Sequence, residues 1–174
     1  VNNEDFHKDL QQAVSPKITY LPNIYYPKHV PERTQSCNPG IIKIGCMGAH
    51  RIQKNQLNQA IASIIYADSM NKILHFYMNE SNVEKAYPIT QNIKSLFRDT
   101  KHKLHFVPWM NHHDFLHFLS HLDLNLQVSF TESFNIVTAD SVSVGIPTVV
   151  GQDVSWMPFY TKSSPTDTDE IVNK

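Results

Sequence analysis

From Gly40 onward, short apolar segments alternate with segments of helical periodicity, and this alternation constrains the fold more than any other feature of the sequence. Strands that are separated by helices run parallel, because each helix returns the chain to the edge where the next strand begins. Five apolar segments follow this rule, so we predict an α/β fold with a doubly wound parallel sheet. In such a sheet, ligands bind at the carboxyl ends of the strands.

The predicted strands are short apolar runs of the kind that a fully covered sheet requires. They cover residues 41–47, 73–78, 104–107, 124–130 and 148–150. The first predicted helix has apolar residues at helical spacing on one face, namely Leu57, Ala60, Ile61, Ile64 and Ile65. Further helices are predicted from about residue 88, over 112–122, before Gly145, and from Glu170 onward.

The first 39 residues have a different pattern. Residues 1–15 predict a short helix with Phe6, Leu10 and Ala13 on one face, and residues 17–21 predict a strand. Residues 27–39 are polar, rich in proline and free of periodicity, which is typical of a linker. We therefore predict that the main domain occupies residues 40–174.

Composition limits the function classes that need to be considered. The 174 residues are 41% hydrophobic and 18% charged, which is enough for one domain with a substantial core. The formal net charge of −1 gives no overall field that would recruit nucleic acid or an anionic membrane. No apolar run reaches the roughly 18 residues of a transmembrane helix. With only Cys37 and Cys46, we expect no disulfide framework and a reducing, cytoplasmic setting.

A polar, cationic loop at residues 48–55 follows the first predicted strand and begins with Gly48. There it would border the ligand crevice, with Arg51 and Lys54 near the start of the next helix, where the helix dipole favours anions. The loop contains neither a Walker motif nor Gly-x-Gly-x-x-Gly. Local sequence therefore leaves two interpretations open, a phosphate-binding loop or a solvated polar loop.

Residues 129–150 combine a strand exit, an acidic turn, a short apolar helix that ends at Gly145, and another strand. Polar groups that could cap the helix surround its start, on Ser129, Thr131, Ser133 and Asn135. Free backbone N–H groups in such a turn suit an anion, and Glu132 could accept hydrogen bonds from sugar hydroxyls. The combination suits a nucleotide-sugar, although Glu132 alone is also an ordinary charge in the first turn of a helix.

Asp140 lies eight residues after Glu132, inside a helix whose other residues are mostly apolar. An isolated buried carboxylate is costly. Asp140 should therefore either cap a neighbouring segment or face a ligand cleft.

No metal site is predicted. His113, His117 and His121 lie at i, i+4 and i+8, a spacing that can bind zinc. However, no acid completes a His-Glu-x-x-His pattern, and the helix also has an apolar face, so an exposed polar face is the default. The chain also lacks Gly-x-Ser-x-Gly and Cys-x-x-Cys motifs. Trp156 could pack over the sheet edge or over the crevice, and its sequence context does not decide between them.

These motifs resemble the C-terminal domain of retaining glycosyltransferases of the GT-B architecture, and in particular family 4. Members carry an acid, a small residue, phenylalanine and a small residue, then a second acid eight positions after the first, and then Gly-x-Pro and a valine-rich strand. The matching positions are Glu132, Ser133, Phe134, Asn135, Asp140, Gly145, Pro147 and Val149. The spacing from Gly48 to Lys54 matches the phosphate-contacting loop of the family, and Leu21-Pro22-Asn23 resembles its hinge. The chain departs from the family at Asp140, where glutamate is usual, and at Ala49, where arginine is usual.

The resemblance implies a role for each matching residue. Lys54 would contact the donor diphosphate together with Arg51, Gly48 and the backbone N–H groups from Ser133 to Ile136, with Thr131 beside them. Glu132 would lie by the donor sugar hydroxyls, and Asp140 would accept from the ribose. Residues 1–39 would be a remnant of an N-terminal domain and a linker, and 40–174 a Rossmann-like domain that is truncated at its C-terminal end.

The activity implied is transfer of a sugar from a nucleoside diphosphate sugar to an acceptor, with retention and without a metal or other cofactor. Lys54 and Arg51 would stabilise the departing diphosphate, and the acceptor would bind the absent N-terminal domain, so this fragment is expected to be inactive alone. Two alternatives remain open. One is a GT-B-fold sugar-nucleotide epimerase, and the other is a catalytically degenerate domain that serves as a scaffold or partner subunit.

Overall fold

The computed structural model describes residues 4–34, 38–80 and 87–174. The helices are α1 (Glu4–Ala13), α2 (Gln56–Ser69), α3 (Tyr87–Phe97), α4 (His112–Leu119), α5 (Ile136–Ser143) and α6 (Thr168–Val172). The strands are β1 (Ile41–Gly45), β2 (Ile73–Asn79), β3 (Lys103–Val107), β4 (Leu124–Gln127), β5 (Thr148–Gly151) and β6 (Lys162–Ser163). Two short 3₁₀ turns cover Ile52–Lys54 and Phe159–Thr161.

All the strands belong to one parallel sheet with the order β3-β2-β1-β4-β5-β6. The chain builds outward from β1 through β2 to β3, then crosses back and builds outward again from β4. The order therefore reverses between β1 and β4, where Ile44 pairs with Leu124 and Gly45 with Asn125. The loops that leave two such strands diverge and open a crevice at their carboxyl ends. The predicted doubly wound parallel sheet is confirmed.

Apolar side chains cover both faces of the sheet. The larger cluster joins one face to α2, α3 and α6 through residues such as Leu74, Phe76, Ile93 and Ile171. The smaller cluster joins the other face to α4 and α5 through residues that include Leu116, Leu119 and Ile146. Each fully buried aliphatic or aromatic side chain contributes about 1.5–3 kcal/mol to folding, so the two clusters hold the crevice loops on a rigid base.

The predicted strand at residues 17–21 is wrong. Among the described residues this segment has no strand partner. Side chains of α1 contact its backbone instead, since His7 Nε2 and Gln11 Nε2 lie 2.9 and 3.0 Å from the carbonyl oxygen of Ile18. Helix α1 itself is present, although Phe6, predicted for its apolar face, is 53% exposed. Residues 14–34 continue as an arm without regular structure that we call the N-terminal arm.

The remaining differences concern the ends of strands. Strands β1 and β4 end at Gly45 and Gln127, before the predicted residues 47 and 130, so the loops that border the crevice are longer than expected. Strand β6 was not predicted, because two residues are too few to show alternation. Cys46 is buried, and Cys37 lies outside the described residues. No helix in the described ranges is long and apolar enough to cross a bilayer.

Candidate functional site

The site is built where the loop after β1 meets the loop after β4. Lys54 Nζ and Glu132 Oε1, one from each loop, form an ion pair whose side chains are 22% and 12% exposed. The Ser129 hydroxyl also donates to Glu132 Oε1 at 3.1 Å. The backbone joins the loops as well, since the N–H of Phe130 donates to the carbonyl of Gln53 at 2.8 Å. A cation and a carboxylate are thus held side by side at the edge of the crevice.

Two buried glutamines form hydrogen bonds with both of these loops. Gln59 Nε2 donates to the carbonyl of Lys54 at 2.6 Å, and its Oε1 accepts from the N–H of Val128 at 2.9 Å. Gln127 Nε2 donates to the carbonyl of Met47 at 2.9 Å, and its Oε1 accepts from Asn135 Nδ2 at 3.2 Å. Each side-chain amide satisfies polar groups on both loops, and a buried polar group without a partner costs about 1–3 kcal/mol. The loops therefore cannot separate without exposing or orphaning these groups.

Gly48 begins the β1 loop in a conformation that favours glycine, with φ of 117°. Its N–H donates to the buried Asn79 Oδ1 at 2.7 Å, which fixes the turn. A Cβ at this position would lie 4.0 Å from Cγ2 of Val137. Gly48 therefore lies against the first turn of α5, and this contact brings the predicted phosphate loop and the predicted sugar-binding turn together.

The start of α5 presents backbone donors. Asn135 is the N-cap, with φ of 55°, and its side chain accepts from the N–H of Thr138 at 3.1 Å. The N–H groups of residues 133–136 donate to no acceptor among the hydrogen bonds of the described residues. Free N–H groups and the helix dipole act together at such an end, which makes it suitable for a phosphate.

The other predicted residues belong to the same two loops and to the start of α5. The side chains of Arg51, Thr131, Ser133 and Ile136 are exposed, and none makes a hydrogen bond or ion pair with the described residues. Arg51 is the first residue before the 3₁₀ turn that carries Lys54. It is not part of the Lys54–Glu132 pair, but its position on the same loop leaves it free to reach a ligand.

Asp140 is buried, as predicted from the apolar character of α5, and it contacts protein groups. Its Oδ1 accepts from the Tyr25 hydroxyl at 2.5 Å and lies 2.7 Å from His112 Nε2. Burial and the hydrogen bond to Asp140 raise the pKa of Tyr25 to about 12, so the phenol stays protonated and is the donor. Asp140 thus joins α5 to the N-terminal arm and to α4.

Aromatic side chains line the same end of α5. The indole of Trp156 stacks on Phe134 with ring centroids 5.4 Å apart, and its Nε1 donates to the carbonyl of Phe134 at 2.6 Å. The ring of Tyr25 is tilted against that of Phe134, with centroids 6.4 Å apart. Together with residues of the N-terminal arm and α5 they line an open groove of about 380 Å³. Trp156 therefore packs beside the crevice, a position that its sequence did not decide.

A second cavity lies between one face of the sheet and helices α2 and α6. It has a volume of about 330 Å³, and its lining includes Ile42, Ala62, Leu126, Val149 and Ile171. Neither Lys54, Glu132 nor residues 133–136 line it, so this cavity is not part of the candidate site.

Titratable groups beneath the site are shifted by burial. His50, in the β1 loop, is buried with Nδ1 3.1 Å from Thr90 Oγ1, and its burial lowers the pKa of the imidazole. Burial also raises the pKa of the Cys46 thiol to about 12, which leaves it unreactive as a nucleophile. Neither group offers a charge to the crevice, whose charged side chains include Lys54, Arg51 and Glu132.

The described residues contain no cluster of three His, Cys, Asp or Glu side chains that could hold a metal ion. The predicted histidine row lies along the outer side of α4, where His113 and His117 are exposed and His121 contacts the carbonyl of His117. The donor set of the crevice is cationic and N–H rich, which suits an anion.

Five residues of this site were missing from the sequence interpretation: Asn79, Gln59, Gln127, Tyr25 and His112. The sequence did contain a signal for Gln127, because Asn125 and Gln127 interrupt an otherwise apolar strand. In the structure both side chains are buried. Buried amides in a strand need partners, and those partners mark where loops are fastened. Tyr25 and His112 gave no comparable signal, since their partner is remote in the sequence.

Known structures share this architecture. Sucrose-phosphate synthase from Thermosynechococcus elongatus matches with a TM-score of 0.71 at 15% identity, over 99% of this chain and 46% of that one. The C-terminal domain of a glycosyl transferase group 1 family protein from Francisella tularensis matches with a TM-score of 0.62 at 12% identity, over 76% of this chain and 72% of that domain. A UDP-forming α,α-trehalose-phosphate synthase from Burkholderia xenovorans matches with a TM-score of 0.59 at 12% identity, over 77% and 35%.

These similarities show that the chain has the fold of the Rossmann-like half of GT-B glycosyltransferases. The chain spans about a third to a half of the length of the two synthases. No protein-family model and no curated protein matches its sequence.

Proposed function

We propose that this chain is the nucleotide-sugar-binding part of a family 4-like glycosyltransferase, which transfers a sugar from a nucleoside diphosphate sugar to an acceptor with retention. The observation that carries the proposal is the ion pair between Lys54 and Glu132 at the switch point of the sheet, beside the free N–H groups at the start of α5. Lys54 can bind an anion and Glu132, beside it, can accept from hydroxyls. These two groups match the diphosphate and the sugar of such a donor.

The diphosphate would lie between the β1 loop and α5. Lys54 supplies a cation that is only 22% exposed, so its attraction is screened less than that of a surface lysine. The N–H groups of residues 133–136 supply fixed donors, and Arg51 can reach from the rim. Because these donors are already oriented, they can stabilise the charge that develops on the leaving diphosphate. No metal ion is required in this scheme.

The sugar would lie against Glu132. Ser129 and Lys54 both hold Oε1, so Glu132 has a fixed orientation and its second oxygen can accept from sugar hydroxyls. Asp140 would accept from the ribose of the same donor. The acceptor would bind a preceding N-terminal domain of which residues 1–39 are the end, and the setting would be cytoplasmic, in line with the low cysteine content.

Titration of this chain with uridine, adenosine and guanosine diphosphates, by calorimetry or by amide NMR, tests the proposal. We expect one of them to bind with a dissociation constant on the order of 1 mM or lower, with chemical shift changes at Gly48 and at residues 133–136. Lys54→Ala should weaken that binding about tenfold or more, whereas Lys28→Ala, a change of an exposed lysine on the N-terminal arm, should not. No interaction with any of the three at millimolar concentration would contradict the proposal.

A second function is favoured by one observation. The N-terminal arm exposes large apolar side chains, with Leu21 71%, Ile24 93% and Tyr26 86% exposed. Exposed apolar residues in series mark a protein contact surface, so a role as a scaffold or partner subunit is the alternative. The Glu132→Gln and Lys54→Ala pair separates the two, because a transferase would lose turnover while it stays folded, and a scaffold would keep its partner binding.

A further inference from the structure

Three elements meet at the carboxylate of Asp140. Tyr25 comes from the N-terminal arm, His112 is the first residue of α4, and Asp140 lies in α5. Asn111 caps α4 by accepting from the N–H of Asp114 at 2.9 Å, so the position of His112 is fixed by its own helix. The ring of His112 meets that of Tyr25 edge-on, with centroids 6.5 Å apart. The carboxylate is therefore held by two independent supports.

Both supports reach the same oxygen. The Tyr25 hydroxyl and His112 Nε2 lie 2.5 and 2.7 Å from Oδ1, and no hydrogen bond joins Oδ2 to any described residue. The buried side-chain atoms that lack a partner in the described part of the chain belong to His50, Gln56, Asn125 and Thr138. Oδ2 is not among them, and Asp140 as a residue is 3% exposed.

We propose that Tyr25 and His112 are positioning residues that hold Asp140 through Oδ1, so that Oδ2 accepts from the ribose hydroxyls of the donor nucleotide. This inference rests on the proposed function, because it needs a nucleotide in the crevice.

Tyr25 and His112 are needed because the carboxylate of an aspartate can rotate. Rotation about its last torsion exchanges the two oxygens, and this torsion is broad in the absence of contacts. Two donors on Oδ1 hold this torsion in one orientation before a ligand arrives. The free energy of binding then does not include the entropy cost of ordering the carboxylate. Charge-assisted hydrogen bonds to a carboxylate are roughly twice as strong as neutral ones, which makes one missing donor measurable.

The readout is the discrimination between ribose and deoxyribose. We would measure dissociation constants of the best-binding nucleoside diphosphate and of its 2′,3′-dideoxy form, and take their ratio. Tyr25→Phe removes the donor and keeps the ring, and His112→Ala removes the second donor. Each should weaken binding of the ribose form about three- to tenfold while the dideoxy form changes less than about twofold. His112→Gln, whose amide can donate from a similar place, should recover most of the loss.

Matched controls lie next to both residues. Tyr26 is 86% exposed and His113 is exposed on α4, so Tyr26→Phe and His113→Ala make the same chemical changes away from Asp140 and should leave the ratio unchanged. Thermal unfolding of every variant identifies any loss of folding. If Tyr25→Phe does not fold, the His112 variants test the inference by themselves. The His112 side chain is 53% exposed, so its substitution should leave the fold intact.

Each of the following results would overturn the inference. Equal weakening of both ligand forms would mean a general structural role, and tighter binding in Tyr25→Phe would mean that Tyr25 competes with the ligand. Unchanged affinities would mean that Asp140 needs no support. If the wild-type chain binds both forms equally well, the inference fails and the proposed function stands, whereas absence of any nucleotide binding removes both.

Discussion

Lys54 and Glu132 are 78 residues apart in the sequence, and they form an ion pair across the point where the strand order of the sheet reverses. Each side chain neutralises the other, so neither charge is left uncompensated in a partly buried position. A diphosphate would attract Lys54 and repel Glu132. The pair can therefore act as a single recognition unit for a ligand that is anionic at one end and hydroxylated at the other.

The first prediction concerns the charge of Glu132. Glu132→Gln removes a negative charge beside the anion site and frees Lys54, so affinity for a nucleoside diphosphate without a sugar should rise about two- to fivefold. The preference for the sugar-bearing form over the plain diphosphate should fall in the same variant. Calorimetric titration with both ligands measures this, and Glu32→Gln on the exposed N-terminal arm is the matched control. A fall in affinity for the plain diphosphate would contradict the assigned electrostatics.

Gln127 gives a prediction about stability. Gln127→Leu keeps most of the volume but leaves the carbonyl of Met47 and the amide of Asn135 without their partner. The free energy of unfolding should fall by about 2–4 kcal/mol, measured as a shift of the urea midpoint. Gln152→Leu makes the same change at an exposed position and should stay within about 0.5 kcal/mol of wild type. Equal effects at the two positions would mean that Gln127 does not fasten the loops.

Gly151 is required by the close approach of β5 to the exit of β4. A Cβ at this position would lie 2.6 Å from the carbonyl oxygen of Ser129, a backbone atom of the residue that holds Glu132. Gly151→Ala should destabilise the fold by about 1–3 kcal/mol and weaken nucleotide binding. Gly40→Ala is the control, since its nearest neighbour would be a side-chain oxygen of Asn38 at 3.5 Å. Wild-type stability in Gly151→Ala would disprove the steric argument.

Stability should decrease below neutral pH. Burial lowers the pKa of His50 from 6.5, and it lowers those of His75 and His105 in the same direction. Below pH 6.5 the unfolded chain takes up protons at these residues while the folded chain does not, so the free energy of unfolding falls as the pH decreases through that range.

His50→Gln should remove part of this slope, up to about 1.4 kcal/mol per pH unit for one proton. Urea unfolding at several pH values between 5 and 7.5 measures the effect, and His113→Gln on the surface of α4 is the reference for the substitution itself. An unchanged slope in His50→Gln would mean that His50 protonates equally well in the folded state.

Sequence patterns predicted the elements that depend on local spacing. The apolar face of α2, the Gly145 stop after α5 and the five longer strands follow from periodicity and turn residues within a few positions. The arm was mispredicted at residues 17–21 because strand formation needs a partner, and side chains of α1 bind that backbone instead. The two-residue strand β6 depends on β5 for the same reason.

The residues of the candidate site show the same distinction between local and remote determinants. The sequence marked Lys54 and Glu132 as candidates, because charged residues after buried strands lie at the carboxyl edge of a parallel sheet. Their roles in catalysis and donor binding, like those of the other candidate residues, stay predictions. Gln59 and Gln127 look like ordinary polar residues until the fold buries them between two loops.

The sequence by itself determined the alternation of strands and helices, and with it the class of fold and the edge where a ligand is expected, because these depend on residues that are near one another in the chain. The tertiary structure alone decided what surrounds Asp140. Its contact with Tyr25 spans 115 positions and exists because the arm passes over α5. Local periodicity carries no information about such contacts, since they depend on the strand order and on which faces the helices cover.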